Sequence, residues 1–142
     1  MTEDNGRSGR ILLLEDEPII GRVTARTLKA DGFEVDIAVN GLVAKDKIAA
    51  NRYDLFIFDI RTPVMNGIEL YEYMEKEHPN LTGRVIFSTG DSLGVATKKF
   101  LERVECLYLG KPYIPSQLRA VVREALSKNR PTPSAAQAVQ SE

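Results

Sequence analysis

Five short runs of apolar and β-branched residues, each followed by a longer stretch of helical period, restrict the folding of this chain more than any other feature. The runs are Arg10–Glu15, Glu34–Val39, Leu55–Asp59, Arg84–Thr89 and Cys106–Leu109. The stretches between and after them, about Ile19–Ala30, Leu42–Ala50, Ile68–Lys76, Gly94–Glu102 and Pro115–Ser127, carry apolar residues at helical spacing, as at Leu118, Val121, Val122 and Leu126. Strict alternation of this kind predicts βαβ units around a parallel sheet. The first, third and fourth runs are almost continuously apolar, as strands covered by helices on both faces must be. Asp31-Gly32 and Asn40-Gly41 mark turns, and Pro18 and Pro115 suit a first helical turn, where a missing N–H costs nothing.

The predicted fold is α/β: one doubly wound, five-stranded parallel sheet with helices on both faces, over residues 10–128. Residues 1–9 are polar and aperiodic, and residues 129–142 mix Pro, Ser, Ala and Gln with almost no large apolar side chain, so both ends are expected to be flexible. With 43% apolar and 27% charged residues, 142 residues are enough to close one core. A net charge of −1 supplies no basic field for a phosphate backbone, which argues against nucleic acid as a direct partner. The single cysteine, Cys106, excludes an internal disulfide and a cysteine-rich zinc site. It reads as a small buried hydrophobe. His78, in Glu-His-Pro-Asn at a helix end, reads as a solvated residue that favours the dipole. Ile11–Leu14 is too short an apolar run for a membrane span or a signal-peptide core, so the expected location is cytoplasmic, with no membrane insertion.

Ligands of open parallel sheets gather outside the carboxyl ends of the strands. Here those ends are chemically unusual. The first run closes in Glu15-Asp16-Glu17, the third in Asp59, the fourth in Thr89 with Asp91 beyond it, and the fifth is followed by Lys111-Pro112. Carboxylates brought together repel unless a proton or cation intervenes, and hard oxygen ligands with room for water suit Mg²⁺ better than zinc. The same cation would offset charge on a phosphoryl group meeting Asp59 in line, with Lys111 and the Thr89 hydroxyl holding its other oxygens. Ser88 competes with Thr89 for the hydroxyl role.

Over about Arg10–Ser127 these residues resemble the response regulator receiver domains of two-component signalling, of the chemotaxis-regulator type. Glu15-Asp16-Glu17-Pro18 looks like the family's acidic pair and following Glu-Pro, and Asp59 with Pro63, Met65 and Gly67 looks like its phosphoacceptor loop. Thr89 falls at the switch hydroxyl, Tyr108 at the switch aromatic and Lys111-Pro112-Tyr113 at the Lys-Pro-aromatic motif. The resemblance implies a flavodoxin-like strand order 2-1-3-4-5. It implies Mg²⁺, or Mn²⁺ in its place, on Asp16, Asp59 and the backbone carbonyl of Arg61, with Glu15 acting through water, and a cis bond before Pro112. The implied phosphodonor is a histidine kinase or a histidine phosphotransfer protein, and output would pass to a separate protein target. A monomer or a weak phosphorylation-dependent dimer is implied. The stretch from Arg84 to Lys111 looks more like the receivers of hybrid histidine kinases than like those fused to DNA-binding domains.

Some positions depart from the family pattern. Thr62 stands where methionine is more usual, Asn66 where an acidic residue is, and Gly90 where a small alanine often follows the switch hydroxyl. Gly90 would leave the phosphoryl entrance open. Arg61 and Asp91, opposite in charge, flank the expected phosphoryl position and are read as an ion pair that slows water and so governs phosphoryl lifetime. The chain is read as a self-modifying signalling domain, not a turnover enzyme. Two other classes compete. Phe56-Ile57-Phe58-Asp59-Ile60-Arg61-Thr62 superficially echoes the haloacid dehalogenase nucleophile motif, but Arg61 stands where that family needs an aspartate acid/base. A receiver-like interaction module without phosphotransfer would keep the fold and lose the chemistry.

Overall fold

The computed structural model describes residues 9–90 and 94–129. Its elements run β1 (Gly9–Leu14), α1 (Pro18–Ala30), β2 (Phe33–Ala38), α2 (Gly41–Ala50), β3 (Leu55–Asp59), α3 (Gly67–Glu77), a short 3₁₀ helix (Pro79–Arg84), β4 (Val85–Thr89), α4 (Val95–Val104), β5 (Leu107–Gly110) and α5 (Pro115–Asn129). The five strands are all parallel, in the order β2-β1-β3-β4-β5. After β2 the chain crosses over β1 to enter β3, so the winding reverses between β1 and β3. Outside the carboxyl ends of those two strands a crevice opens.

Side-chain alternation along the strands divides the core into two layers. Leu12, Leu14, Phe56, Phe58 and Phe87 pack beneath α2, α3 and α4, while Ile11, Leu13, Leu55, Ile57 and Ile86 pack beneath α1 and α5. Both layers are buried, which accounts for the unbroken apolar runs of the central strands. β5, at the edge, alternates instead: Leu109 is buried and Tyr108 is exposed.

Element boundaries differ from the sequence reading by about one residue at several ends. Pro18 itself opens α1, β5 starts at Leu107, Gly9 belongs to β1 and α5 continues to Asn129. The rest of both terminal segments lies outside the described residues. The 3₁₀ helix was not legible because its residues show no apolar period; Pro79 opens it, and the Thr82 hydroxyl donates to the Pro79 carbonyl at 2.9 Å. His78 differs from its expected solvated state: it ends α3, but its ring packs edge-on against Tyr73 with 5.5 Å between centroids, and Nε2 lies 3.1 Å from the Tyr73 hydroxyl. Cys106 is partly buried, packed against the aromatic layer.

The connection from β3 to α3 is drawn tight by glycine. Asn66 and Glu69 form a reciprocal capping box, with Asn66 Oδ1 accepting from the Glu69 N–H at 2.8 Å and Glu69 Oε1 from the Asn66 N–H at 2.9 Å. Gly67 then passes so close to the end of β3 that a Cβ there would overlap the Asp59 carbonyl. Gly67→Ala must therefore displace either the helix start or the strand end. Urea unfolding is expected to show a loss of about 1–3 kcal/mol; wild-type stability would mean that the backbone relaxes freely there.

Candidate functional site

Asp59 closes β3 at the reversal point and is buried, with 4% of its surface exposed. Its two oxygens are held differently. Oδ1 accepts from the Arg61 N–H at 3.0 Å, which folds the following loop over the carboxylate, and Oδ2 accepts from Lys111 Nζ at 2.7 Å. Lys111 directly follows β5. Its own N–H donates to the Thr89 carbonyl at 2.7 Å, fixing its backbone to the end of β4. Three adjacent strands thus converge on one carboxylate–ammonium pair.

Glu15 and Asp16 follow β1. Glu15 is 2% exposed; its Oε2 accepts from the Glu17 N–H at 3.1 Å and its Oε1 lies 2.7 Å from Lys111 Nζ. That ammonium sits off the line of a hydrogen bond, so Oε1 has charge contact but no aligned donor. Glu15, Asp16 and Asp59 each bring one carboxylate oxygen to within 4.8 Å of the others. Burial pushes the Glu15 carboxyl above its ordinary range and the Asp59 charge adds to this, while Lys111 and the Glu17 N–H work the other way. Burial also works against the Lys111 ammonium, but the hydrogen bond to Asp59 and the negative charges of Asp59 and Glu15 outweigh it and hold Lys111 above its ordinary value. A single ammonium shared by a crowd of carboxylates leaves the site short of positive charge. An orphaned buried oxygen in an all-oxygen set fits a hard divalent cation.

A family model of the response regulator receiver domain matches residues 11–123. The chain belongs to that family. The receiver is 30% identical to a response regulator MprA of Mycobacterium bovis over 138 residues, which are 90% of this chain and 55% of the relative. It is also 30% identical to a probable transcriptional regulator, ycf29, of Porphyra purpurea, over 86% of this chain and 58% of the relative. The chain thus spans about half the length of these curated relatives. A CheY-like receiver domain protein from Methanospirillum hungatei superposes with a TM-score of 0.77 at 30% identity, over 84% of this chain and 94% of that one. The receiver domain of a signal transduction histidine kinase from Syntrophus aciditrophicus gives 0.77 at 27% identity, over 89% and 96%. These likenesses make the chain a signalling domain of two-component systems, with the 2-1-3-4-5 sheet seen here.

The remaining candidate residues of the receiver fall as follows. Ser88 stands in register with Asp59 and Thr89 with Gly110, and both hydroxyl residues are buried. Tyr108 lies on the edge strand with 52% of its surface exposed. The Lys111-Pro112 bond is cis. Asp91, and with it the Arg61–Asp91 ion pair, lies outside the described residues. Among the described residues nothing comes within 4 Å of a Cβ placed on Gly90. Thr62 is buried and donates to the Met65 carbonyl at 3.0 Å, shaping the loop in which Val64 adopts a left-handed φ of 72°. Its hydroxyl therefore has a local structural role that methionine could not supply.

Beside Lys111 and Gly90 opens an apolar cavity of about 590 Å³, with Ile19, Ile20 and Val23 of α1 on one side and Pro112 and Tyr113 on the other. Ile19 and Val23 are exposed there. Sequence reasoning did not identify this groove or the hydrogen bond in its wall between Thr24 and Tyr113, 2.8 Å long and joining residues 89 positions apart. No local pattern announces a contact of that range. Among the described residues no helix is long and apolar enough to cross a membrane.

Proposed function

We propose that this chain is a phosphoacceptor receiver in a His-Asp phosphorelay, with Asp59 as the acceptor. The observation that carries the reading is the Asp59 carboxylate, held by Lys111 Nζ at 2.7 Å and the Arg61 N–H at 3.0 Å beside two further carboxylates. In the reaction, an Asp59 oxygen attacks the phosphorus of a partner phosphohistidine in line. The O–P bond forms as the P–N bond breaks, and the imidazole leaves with the bonding pair and takes up a proton. Lys111 pairs with the phosphoryl oxygens, and the Thr89 hydroxyl donates to one of them. A divalent cation, Mg²⁺ or Mn²⁺, held by Asp16, Asp59, the Arg61 carbonyl and, through water, Glu15, would offset the negative charge on the phosphoryl group. Water attack on phosphorus later releases phosphate and restores the carboxylate, and Arg61 with Asp91 governs how readily water arrives.

The donor is a histidine kinase or a histidine phosphotransfer protein. Its docking is supported by the apolar groove at Ile19 and Val23, which borders Lys111 and Gly90 and so lies within reach of the acceptor. Phosphorylation adds a charge of about −1.5 to −2 and strong acceptor oxygens. These draw Thr89 inward, and half-exposed Tyr108 follows into the space, since covering an exposed aromatic face is favourable. The changed surface at α4, β5 and α5 then binds or releases a downstream protein, a shift between two arrangements.

Intact-mass measurement after incubation with Mg²⁺ and a small acyl phosphate donor tests the reading. One phosphoryl group per chain is expected, labile to hydroxylamine and mapped to Asp59. If no group is gained from that donor or from any histidine kinase, and beryllofluoride with Mg²⁺ leaves the protein unchanged, the chain is an interaction module.

A further inference from the structure

Lysine is a long, flexible carrier for a charge, so the placement of the Lys111 ammonium depends on how firmly its backbone is held. The loop from Lys111 to Ile114 has one attachment at its start, where the Lys111 N–H donates to the Thr89 carbonyl of β4 at 2.7 Å. At its far end Gln117 caps the entry to α5, with Oε1 accepting from the Ile114 N–H at 2.9 Å. Between them the loop is tied to a third element by the Tyr113 hydroxyl, 2.8 Å from the Thr24 hydroxyl of α1. Thr24 is 2% exposed, a polar side chain in a buried position on the helix that faces the loop. The Tyr113 ring is partly buried and packed against the core layer beneath α1 and α5. A phenylalanine ring would fill the same space. What the hydroxyl adds is a fixed distance between α1 and the loop.

We infer that Tyr113 is a positioning residue for phosphoryl acceptance, acting through Lys111 by means of its hydrogen bond to Thr24. The inference rests on the proposed role of Asp59 and deepens it. With β4 holding the loop on one side and α1 on the other, the Lys111 backbone is clamped, and its ammonium stays over Asp59 and Glu15. Without the tie, the loop can swing about its β4 attachment, and the ammonium spends less time where the phosphoryl oxygens arrive. The fold does not need the tie, because a Thr24 hydroxyl released from Tyr113 can turn back to a carbonyl one helical turn earlier. The bond also lies in the lining of the apolar groove beside the site.

Tyr113→Phe and Thr24→Val each cut the bond while keeping the shape of the side chain. Each is expected to slow Asp59 phosphorylation by a small acyl phosphate donor about three- to tenfold at saturating Mg²⁺, with the unfolding midpoint nearly unchanged. The double variant should be no slower than either single one, since both remove the same interaction. In a Lys111→Ala background, where no cation is left to place, Tyr113→Phe should have no further effect. Amide exchange at Lys111, followed in metal-free protein, should quicken in both single variants. Wild-type phosphorylation and wild-type Lys111 exchange in Tyr113→Phe would overturn the inference. So would a slowing that persists in full without Lys111, because the effect would then not pass through that residue. If the wild-type protein gains no phosphoryl group, the proposed function fails instead, and the Lys111 exchange rates still read whether the tie holds the loop.

Discussion

Asparagine in place of Asp59 will leave the chain folded and unable to accept a phosphoryl group. The nucleophile in the proposed reaction is a carboxylate oxygen, and a neutral amide oxygen cannot form a comparable acyl phosphate at that position. The substitution is nearly isosteric, so the Arg61 N–H keeps an acceptor. Lys111 keeps the Glu15 carboxylate, 2.7 Å from its Nζ. Removing one of three carboxylates that crowd within 4.8 Å also relieves repulsion. Stability should therefore stay within about 1 kcal/mol of wild type. Intact-mass analysis with Mg²⁺ and donor should show the phosphoryl gain fall below detection, and urea unfolding should show the fold retained. A variant that still gains one phosphoryl group per chain would place the acceptor elsewhere and remove Asp59 from the centre of the mechanism.

The second large effect is on the fold itself. Phe87 is fully buried in β4, two residues before Thr89, and its ring meets three others: Tyr71 of α3 and Phe100 of α4, each with centroids 5.5 Å away, and Phe58 of β3 at 6.4 Å. Phe87→Ala removes the hub of that cluster and leaves a cavity between sheet and helices. The expected loss is about 3–5 kcal/mol, a large share of the roughly 5–15 kcal/mol that holds a domain of this size. α4 should feel it most. Leu101 is the buried residue of α4, so the contact of Phe100 with Phe87 is a main part of what holds the helix to the sheet. Equilibrium urea unfolding measures the loss, and amide exchange should quicken in α4 before it does in α5. A cost below about 1 kcal/mol would mean that neighbouring rings collapse into the space.

The architecture was legible because its cause is local and repeated. A strand buried on both faces has to be apolar throughout, and Ile11–Leu14 and Leu55–Phe58 say so directly. Helices packed on one side show a stripe, as Leu118 and Val122 do. Strand β5 was read one residue early because an edge strand alternates and gives a weaker signal, and the 3₁₀ helix at Pro79–Arg84 was missed because so short a turn has no period to detect. At the site, the residue types and their positions at strand ends were visible as text. Glu15, Asp16 and Asp59, all at or just beyond the carboxyl ends of β1 and β3, come together as that placement suggested. The resemblance assigned the hydroxyl role to Thr89, while strand register, which the sequence does not carry, places its neighbour Ser88 opposite Asp59 and Thr89 one residue further along β4.

By itself, the sequence determined the composition of each layer and the chemistry offered at one edge of the sheet, since both follow from which residues lie next to one another along the chain. Distances between remote residues were left to the tertiary structure. It put the Lys111 ammonium 2.7 Å from both Asp59 and Glu15, left one Glu15 oxygen without an aligned donor, opened a groove between α1 and the loop after β5, and joined Thr24 to Tyr113 across 89 positions. Each of these depends on how the strands are ordered and how the helices settle on them. That is a property of the packed whole, in which every helix must find room on a sheet already twisted by its neighbours.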